Sequence, residues 1–87
     1  MDEYAAVVKR FYAIYLPLGR KYNLNIYSKF KVGRPGIIKI YQGDWPKQNQ
    51  IINVERDEDI DCYKRAIEEL ESWVRSREDE NKRYRTA

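Results

Sequence analysis

Apolar residues recur every three or four positions through the last third of the chain, and this spacing constrains the fold more than any other feature. Ile60, Tyr63, Ile67 and Leu70 would lie on one face of a helix. Acidic residues crowd the start of the segment, where a helix N-terminus is electropositive. The pattern predicts a helix over about residues 58–77 that packs on a core, followed by a frayed or projecting tail to residue 87.

A second helix is predicted over about residues 3–16, where Val8, Phe11 and Tyr15 keep the helical spacing and Pro17 marks the end. Much of its remaining circumference is also apolar, so it must be covered on more than one side. We expect the sheet and the last helix to cover it. Homodimerisation through this helix is one alternative. A strand is another, because the segment is rich in strand-forming residues.

Alternating apolar and polar residues predict three strands between the helices, at about residues 24–32, 37–42 and 51–56. The first two are joined by a Gly-Arg-Pro-Gly turn and should form a hairpin. The inner face is predicted to carry alternate residues of each strand, namely Leu24, Ile26, Ser28, Phe30, Val32, Ile38, Ile40, Ile52 and Val54. The residues between them, including Ile37 and Ile51, should face outward.

The predicted fold class is therefore α+β, in the order α-β-β-β-α, with a three-stranded antiparallel meander and two helices packed on one face. Double-stranded-RNA-binding domains share this order but place a basic cluster at the start of the last helix. This chain carries acids at residues 57–59 and 61 instead. Residues 25–75 resemble the arm-site-binding domains of tyrosine recombinases in outline only. The chain is assigned to neither family.

Composition favours a small non-catalytic domain. The 87 residues suit one domain, spanning 1–87. The chain has no histidine, which removes the commonest general base and metal ligand, so we expect no enzyme activity, no cofactor and no metal. The one cysteine, Cys62, forms no internal disulfide and is predicted to be a packed thiol. No apolar run is long enough to span a bilayer, and the expected location is the cytoplasm.

The outer face of the predicted sheet suggests a function. Residues 1–50 carry nine Lys/Arg and three Asp/Glu, whereas residues 51–87 carry eight and eleven, so an anionic partner should prefer the first half. Lysines neutralise phosphates and tyrosines stack on bases. The predicted nucleic-acid-binding residues are Tyr27, Lys29, Lys31, Arg34, Lys39, Tyr41, Lys47 and Asn53. The alternative is that this composition serves only solubility and strand propensity.

The acidic start of the last helix suggests a different function, a protein-binding inhibitor or adaptor of the kind that phages and other mobile elements use against host defences. Such acids can imitate phosphates or dock on a basic partner, although helix capping alone also explains them. Trp45, in the loop before the third strand, is either a lid on the core or a contact residue. The predicted protein-binding residues are Trp45, Glu55, Asp57, Glu58, Asp59 and Asp61.

Overall fold

Two helices cover one face of a three-stranded antiparallel sheet, and the predicted α+β meander is confirmed. The computed structural model describes the backbone of residues 2–86 and the side chains of residues 2–80. The elements are α1 (Glu3–Tyr22), β1 (Leu24–Lys29), β2 (Gly36–Gln42), β3 (Asn49–Arg56) and α2 (Asp59–Thr86). Neither helix, over the residues described, is long and apolar enough to cross a membrane.

The core lies between the helices and the covered face of the sheet. Ile38 and Ile40 are 0% exposed, as alternation along β2 predicts. Phe11 of α1 and Leu70 of α2 are also fully buried and belong to the same cluster. The helical spacing therefore identified the buried face of each helix correctly.

The predicted end of α1 is wrong, because the helix continues through Pro17 to Tyr22. Proline lacks the N–H that would bond to the carbonyl of Ala13, but both residues are exposed, so water can satisfy that carbonyl. Beyond the proline, Tyr22 packs against the core, which holds the last turn in place. Tyr22 is the last helical residue, and Asn23 caps the helix in the left-handed conformation, with a φ of 56°.

The predicted extent of β1 is also wrong, because the strand ends at Lys29. Phe30 leaves the strand and stacks on Tyr63, with ring centroids 5.5 Å apart. A Cβ at Gly36 would stand 2.5 Å from the Phe30 ring, so the ring fits only against glycine. Val32, predicted to be inward, is completely exposed in the loop that follows.

β3 starts two residues earlier than predicted and contains a bulge. Ile40 pairs with Ile52, whereas Tyr41 pairs with Gln50, so Ile51 is the extra residue. The bulge turns Ile51 from its predicted outward position, and it packs against the core beside Trp73 of α2.

The two helices run side by side with their N-termini at the same end. The Lys64 ammonium lies 2.8 Å from the Glu3 carboxylate near the start of both helices, and the Tyr22 and Trp73 rings lie 5.1 Å apart further along. The backbone of α2 is helical to Thr86, beyond the predicted end at residue 77. The side chains of the predicted frayed tail, from residue 81 onward, lie outside the described residues.

Candidate nucleic-acid interface

The sheet face opposite the helices carries the predicted Tyr/Lys surface, and strand register brings part of it into one row. Tyr27 pairs with Lys39, and Lys39 pairs with Asn53. Side chains on directly opposed residues have Cβ atoms about 5 Å apart, so these three groups are neighbours. The Tyr27 side chain is 48% exposed, so its ring can still accept a planar partner.

A shallow depression of about 400 Å³ lies on this face, and we call it the tyrosine depression. Its lining residues are Asn25, Ile26, Tyr27, Lys39, Tyr41 and Gln48. The volume is within the range of small-ligand sites. Two aromatic rings and one ammonium group therefore surround a space suited to a flat polar group such as a nucleobase.

Asn25 fixes one rim of the tyrosine depression. Its side-chain amide donates a hydrogen bond to the carbonyl of Gly43, at 2.9 Å. Gly43 has a φ of 95°, a conformation that favours glycine, and begins the loop between β2 and β3. The hydrogen bond ties the edge strand β1 to that loop and so holds the rim beside Tyr41.

A smaller pocket of about 200 Å³ lies at the hairpin end of the open face, and we call it the basic pocket. Lys29, Ile37 and Glu55 are opposed across the three strands and form its floor. The hairpin loop adds Lys31, Arg34 and Pro35. Three of the predicted binding residues therefore meet here, with one carboxylate among them.

Lys47 is not part of either site. It lies in the exposed loop between β2 and β3, at the end of β2 opposite the hairpin loop. The seven residues of β2 separate the two ends by about 20 Å. Lys47 can join the other cations only in binding an extended ligand that runs the length of the strand.

The predicted protein-binding residues are divided among four places. Asp57, Glu58 and Asp59 line a groove of about 920 Å³ together with the start of α1 and the hairpin loop, and we call it the acidic groove. Glu55 lies on the open sheet face in the basic pocket. Asp61, in the first turn of α2, is exposed and does not line the groove.

Trp45 lies far from the acidic groove. Its side chain is 80% exposed, so it is not a lid on the core, and its loop follows the end of β2 that is remote from α2's start. The structure therefore does not combine Trp45 and the acids into one contact surface. Within the described residues, no group of three or more Asp, Glu, Cys or His is placed to hold a metal ion.

Shifted pKa values occur in the acidic groove and in the core. In the groove, the Lys64 ammonium donates a hydrogen bond to Glu3 and lowers the pKa of that carboxyl, and burial raises the pKa of Tyr4. Burial, followed by the neighbouring Tyr12 and Tyr4 hydroxyls, raises the pKa of Tyr63 to about 12. Burial likewise raises the pKa of the Cys62 thiol, which donates a hydrogen bond to the Gly36 carbonyl at 3.0 Å. Cys62 is therefore a packed thiol, as predicted.

Sequence reasoning missed five lining residues of the tyrosine depression and the basic pocket, namely Asn25, Ile26, Pro35, Ile37 and Gln48. Gln48 reaches the tyrosine depression from the loop before β3, where no periodic pattern applies. Pro35 and Ile37 fit a turn and a strand, and nothing in their spacing shows that they line a pocket with Lys31 and Arg34.

Comparison with protein-family models, with curated proteins and with solved structures found no match to this chain.

Proposed function

We propose that this protein is a nucleic-acid-binding domain that holds an unpaired strand on its open sheet face. The observation that carries the proposal is the row of Tyr27, Lys39 and Asn53 beside Tyr41, which joins stacking surfaces to a cation on one exposed sheet. Aromatic stacking requires a base that is free of its partner, so single strands fit this face better than duplexes.

The distribution of charge supports the same face. Lys29, Lys31, Arg34 and Lys39 lie on or beside the open face, with Glu55 as the carboxylate among them. The acidic groove lies at the helix starts, where five carboxylates outnumber Lys31 and Arg34 of the hairpin loop, and this excess of negative charge would repel a phosphate backbone. A strand laid along β1 and β2 would therefore meet cations at the hairpin end and aromatic rings at the centre.

Charge reversal tests the proposal. The double variant Lys29→Glu/Lys39→Glu should bind single-stranded DNA or RNA much more weakly than the unmodified protein. The slope of log affinity against log salt concentration should also become less steep by about 1.4, because each lost phosphate contact removes roughly 0.7 from it. Fluorescence anisotropy with labelled oligonucleotides across a salt series measures both quantities.

The matched control is Lys9→Glu/Arg10→Glu on α1, which changes the net charge by the same amount at exposed residues away from the sheet. It should retain the salt dependence of the unmodified protein. Equal losses in the two double variants would show a general charge effect, and salt-insensitive or absent binding in the unmodified protein would reject the proposal.

A second candidate function is binding of a basic protein partner in the acidic groove. The groove gathers Asp2, Glu3, Asp57, Glu58 and Asp59, which the sequence scatters over two separate segments. The variant Asp57→Asn/Glu58→Gln/Asp59→Asn should abolish binding of a basic peptide and leave oligonucleotide binding intact. Retained peptide binding in this variant would reject the candidate.

A further inference from the structure

The basic pocket holds more positive charge than a nucleic-acid backbone phosphate needs. Lys29, Lys31 and Arg34 surround it with Glu55, which leaves a net charge of +2. The ion pairs within residues 2–80 involve none of these three cations. Lys29 lines only the basic pocket, whereas Lys31 and Arg34 also line the acidic groove and share their charge with its carboxylates.

The size of the basic pocket limits what can enter it. At about 200 Å³ it is smaller than sites that enclose drug-sized ligands, which are roughly 300–1,000 Å³. Ile37 and Pro35 are the apolar members of its lining, and the other four lining residues are charged. A single phosphate group fits this description, whereas a whole nucleotide does not.

The charge of the pocket distinguishes two kinds of phosphate. A backbone phosphodiester carries one negative charge, whereas a phosphomonoester carries about −1.5 to −2 near neutral pH. Arginine also binds phosphate oxygens with two parallel hydrogen bonds, which favours a phosphate with several free oxygens. The net charge of +2 matches the monoester.

The position of the pocket connects it to the tyrosine depression. Lys29 follows Tyr27 by two residues on the same face of β1, a separation of about 6.6 Å along the strand. A base stacked on Tyr27 would thus place its own phosphate, or that of its neighbour, within reach of Lys29.

We infer that the basic pocket binds the terminal phosphate of a nucleic-acid strand whose end nucleotide stacks on Tyr27. The inference rests on the proposed function, because it requires a strand on the open face. Three observations support it: the three cations form no ion pair among the side chains of residues 2–80, the pocket is of phosphate size, and Tyr27 lies two residues from Lys29 on the same face.

Calorimetric titration with short unlabelled oligonucleotides of one sequence tests the inference. The ligands carry a 5′-phosphate, a 3′-phosphate or hydroxyl groups at both ends. We expect one phosphorylated ligand to bind about tenfold more tightly than the hydroxyl-ended one, as one or two charge-assisted hydrogen bonds would give. Which phosphate is preferred defines the polarity of the bound strand.

Arg34→Gln and Lys47→Gln form the matched pair of variants, since each removes one exposed loop cation, at opposite ends of the sheet. Arg34→Gln should remove the preference for the phosphorylated end, and Lys47→Gln should retain it. Equal loss in both variants would overturn the inference, because a general field and not a pocket would then be responsible.

The remaining outcomes separate this inference from the proposed function. If all three oligonucleotides bind equally and with normal salt dependence, the terminal-phosphate inference fails and the proposed function stands. If none of them binds, both fail together.

Discussion

The two faces of the sheet are built from the same strands but differ in what surrounds them: the helices cover one face and leave the other open. On the covered face, Ile38, Ile40 and Val54 are at most 1% exposed and belong to one core cluster with buried residues of both helices. On the open face, their sequence neighbours Lys39 and Tyr41 line a depression in the surface. Because adjacent residues point to opposite faces, stability and the proposed binding can be tested separately by changes one residue apart.

Ile38 and Ile37 are the sharpest test of this difference. Replacing the fully buried Ile38 with alanine should lower the free energy of unfolding by about 2–5 kcal/mol, because the cavity it leaves cannot fill. Ile37→Ala, one residue away on the half-buried open face, should cost less. Urea denaturation of both variants measures the difference, and similar losses would mean that the two faces are not distinct.

The covered face should also weaken in alkali. The pKa of Tyr63 is about 12 in the folded protein, against 10.0 for an ordinary tyrosine. The folded state therefore holds the proton more tightly, so this contribution is complete below pH 10 and is lost as the pH rises towards 12. The free energy of unfolding, obtained from urea denaturation at pH values from 9 to 12, should fall by an amount on the order of 2 kcal/mol.

Tyr63→Phe is the control for the alkaline effect. It removes the ionising hydroxyl and should make the fall in stability between pH 10 and 12 smaller. Burial also raises the pKa of Tyr15, so some dependence on pH should remain in the variant. If the stability of Tyr63→Phe falls as much as that of the unmodified protein, the effect belongs to groups other than Tyr63.

Gly36→Ala probes the boundary between the covered face and the hairpin loop. The added Cβ would meet the Phe30 ring at 2.5 Å and the Cys62 sulfur at 3.1 Å. Overpacking of this kind costs roughly 1–3 kcal/mol. Combining it with Phe30→Ala should recover part of the loss in urea denaturation, since the ring would no longer be there to clash; an additive loss would contradict this contact.

Tyr27→Ala should have the smallest effect on folding. Its side chain is about half exposed on the open face, so the change in unfolding free energy should stay within roughly 0.5 kcal/mol. Oligonucleotide binding should weaken by about 1–3 kcal/mol, the usual value of one stacked base. Tyr27→Phe keeps the ring and should bind normally. Loss of binding in the phenylalanine variant would mean that stacking is not the interaction at Tyr27.

The sequence predicted the elements well where one periodic pattern controlled them. The spacing from Ile60 to Leu70 identified the buried face of α2, and alternation identified Ile38 and Ile40 as core. Prediction from the sequence failed where tertiary contacts outweighed a local signal. Pro17 does not end α1, because the residues beyond it pack on the core.

The candidate sites could be predicted only in part. Alternation placed Tyr27 and Lys39 on one face, but the bulge at Ile51, which pairs Tyr41 with Gln50, depends on an insertion that no pattern shows. The early end of β1 at Lys29 follows from the packing of Phe30 on Tyr63, and the loop that begins there supplies Lys31 and Arg34 to the pocket beside Ile37. Sites built by loops depend on such contacts more than on periodicity.

Cys62 gives the protein a built-in reporter. It is the only thiol of the chain, it is 0% exposed beside Gly36, and burial keeps it protonated. A maleimide can therefore label it only when α2 separates from the sheet, so the labelling rate follows that opening. Any oligonucleotide that binds the folded domain alone should slow the labelling, which allows ligands to be ranked by mass spectrometry on the unaltered protein.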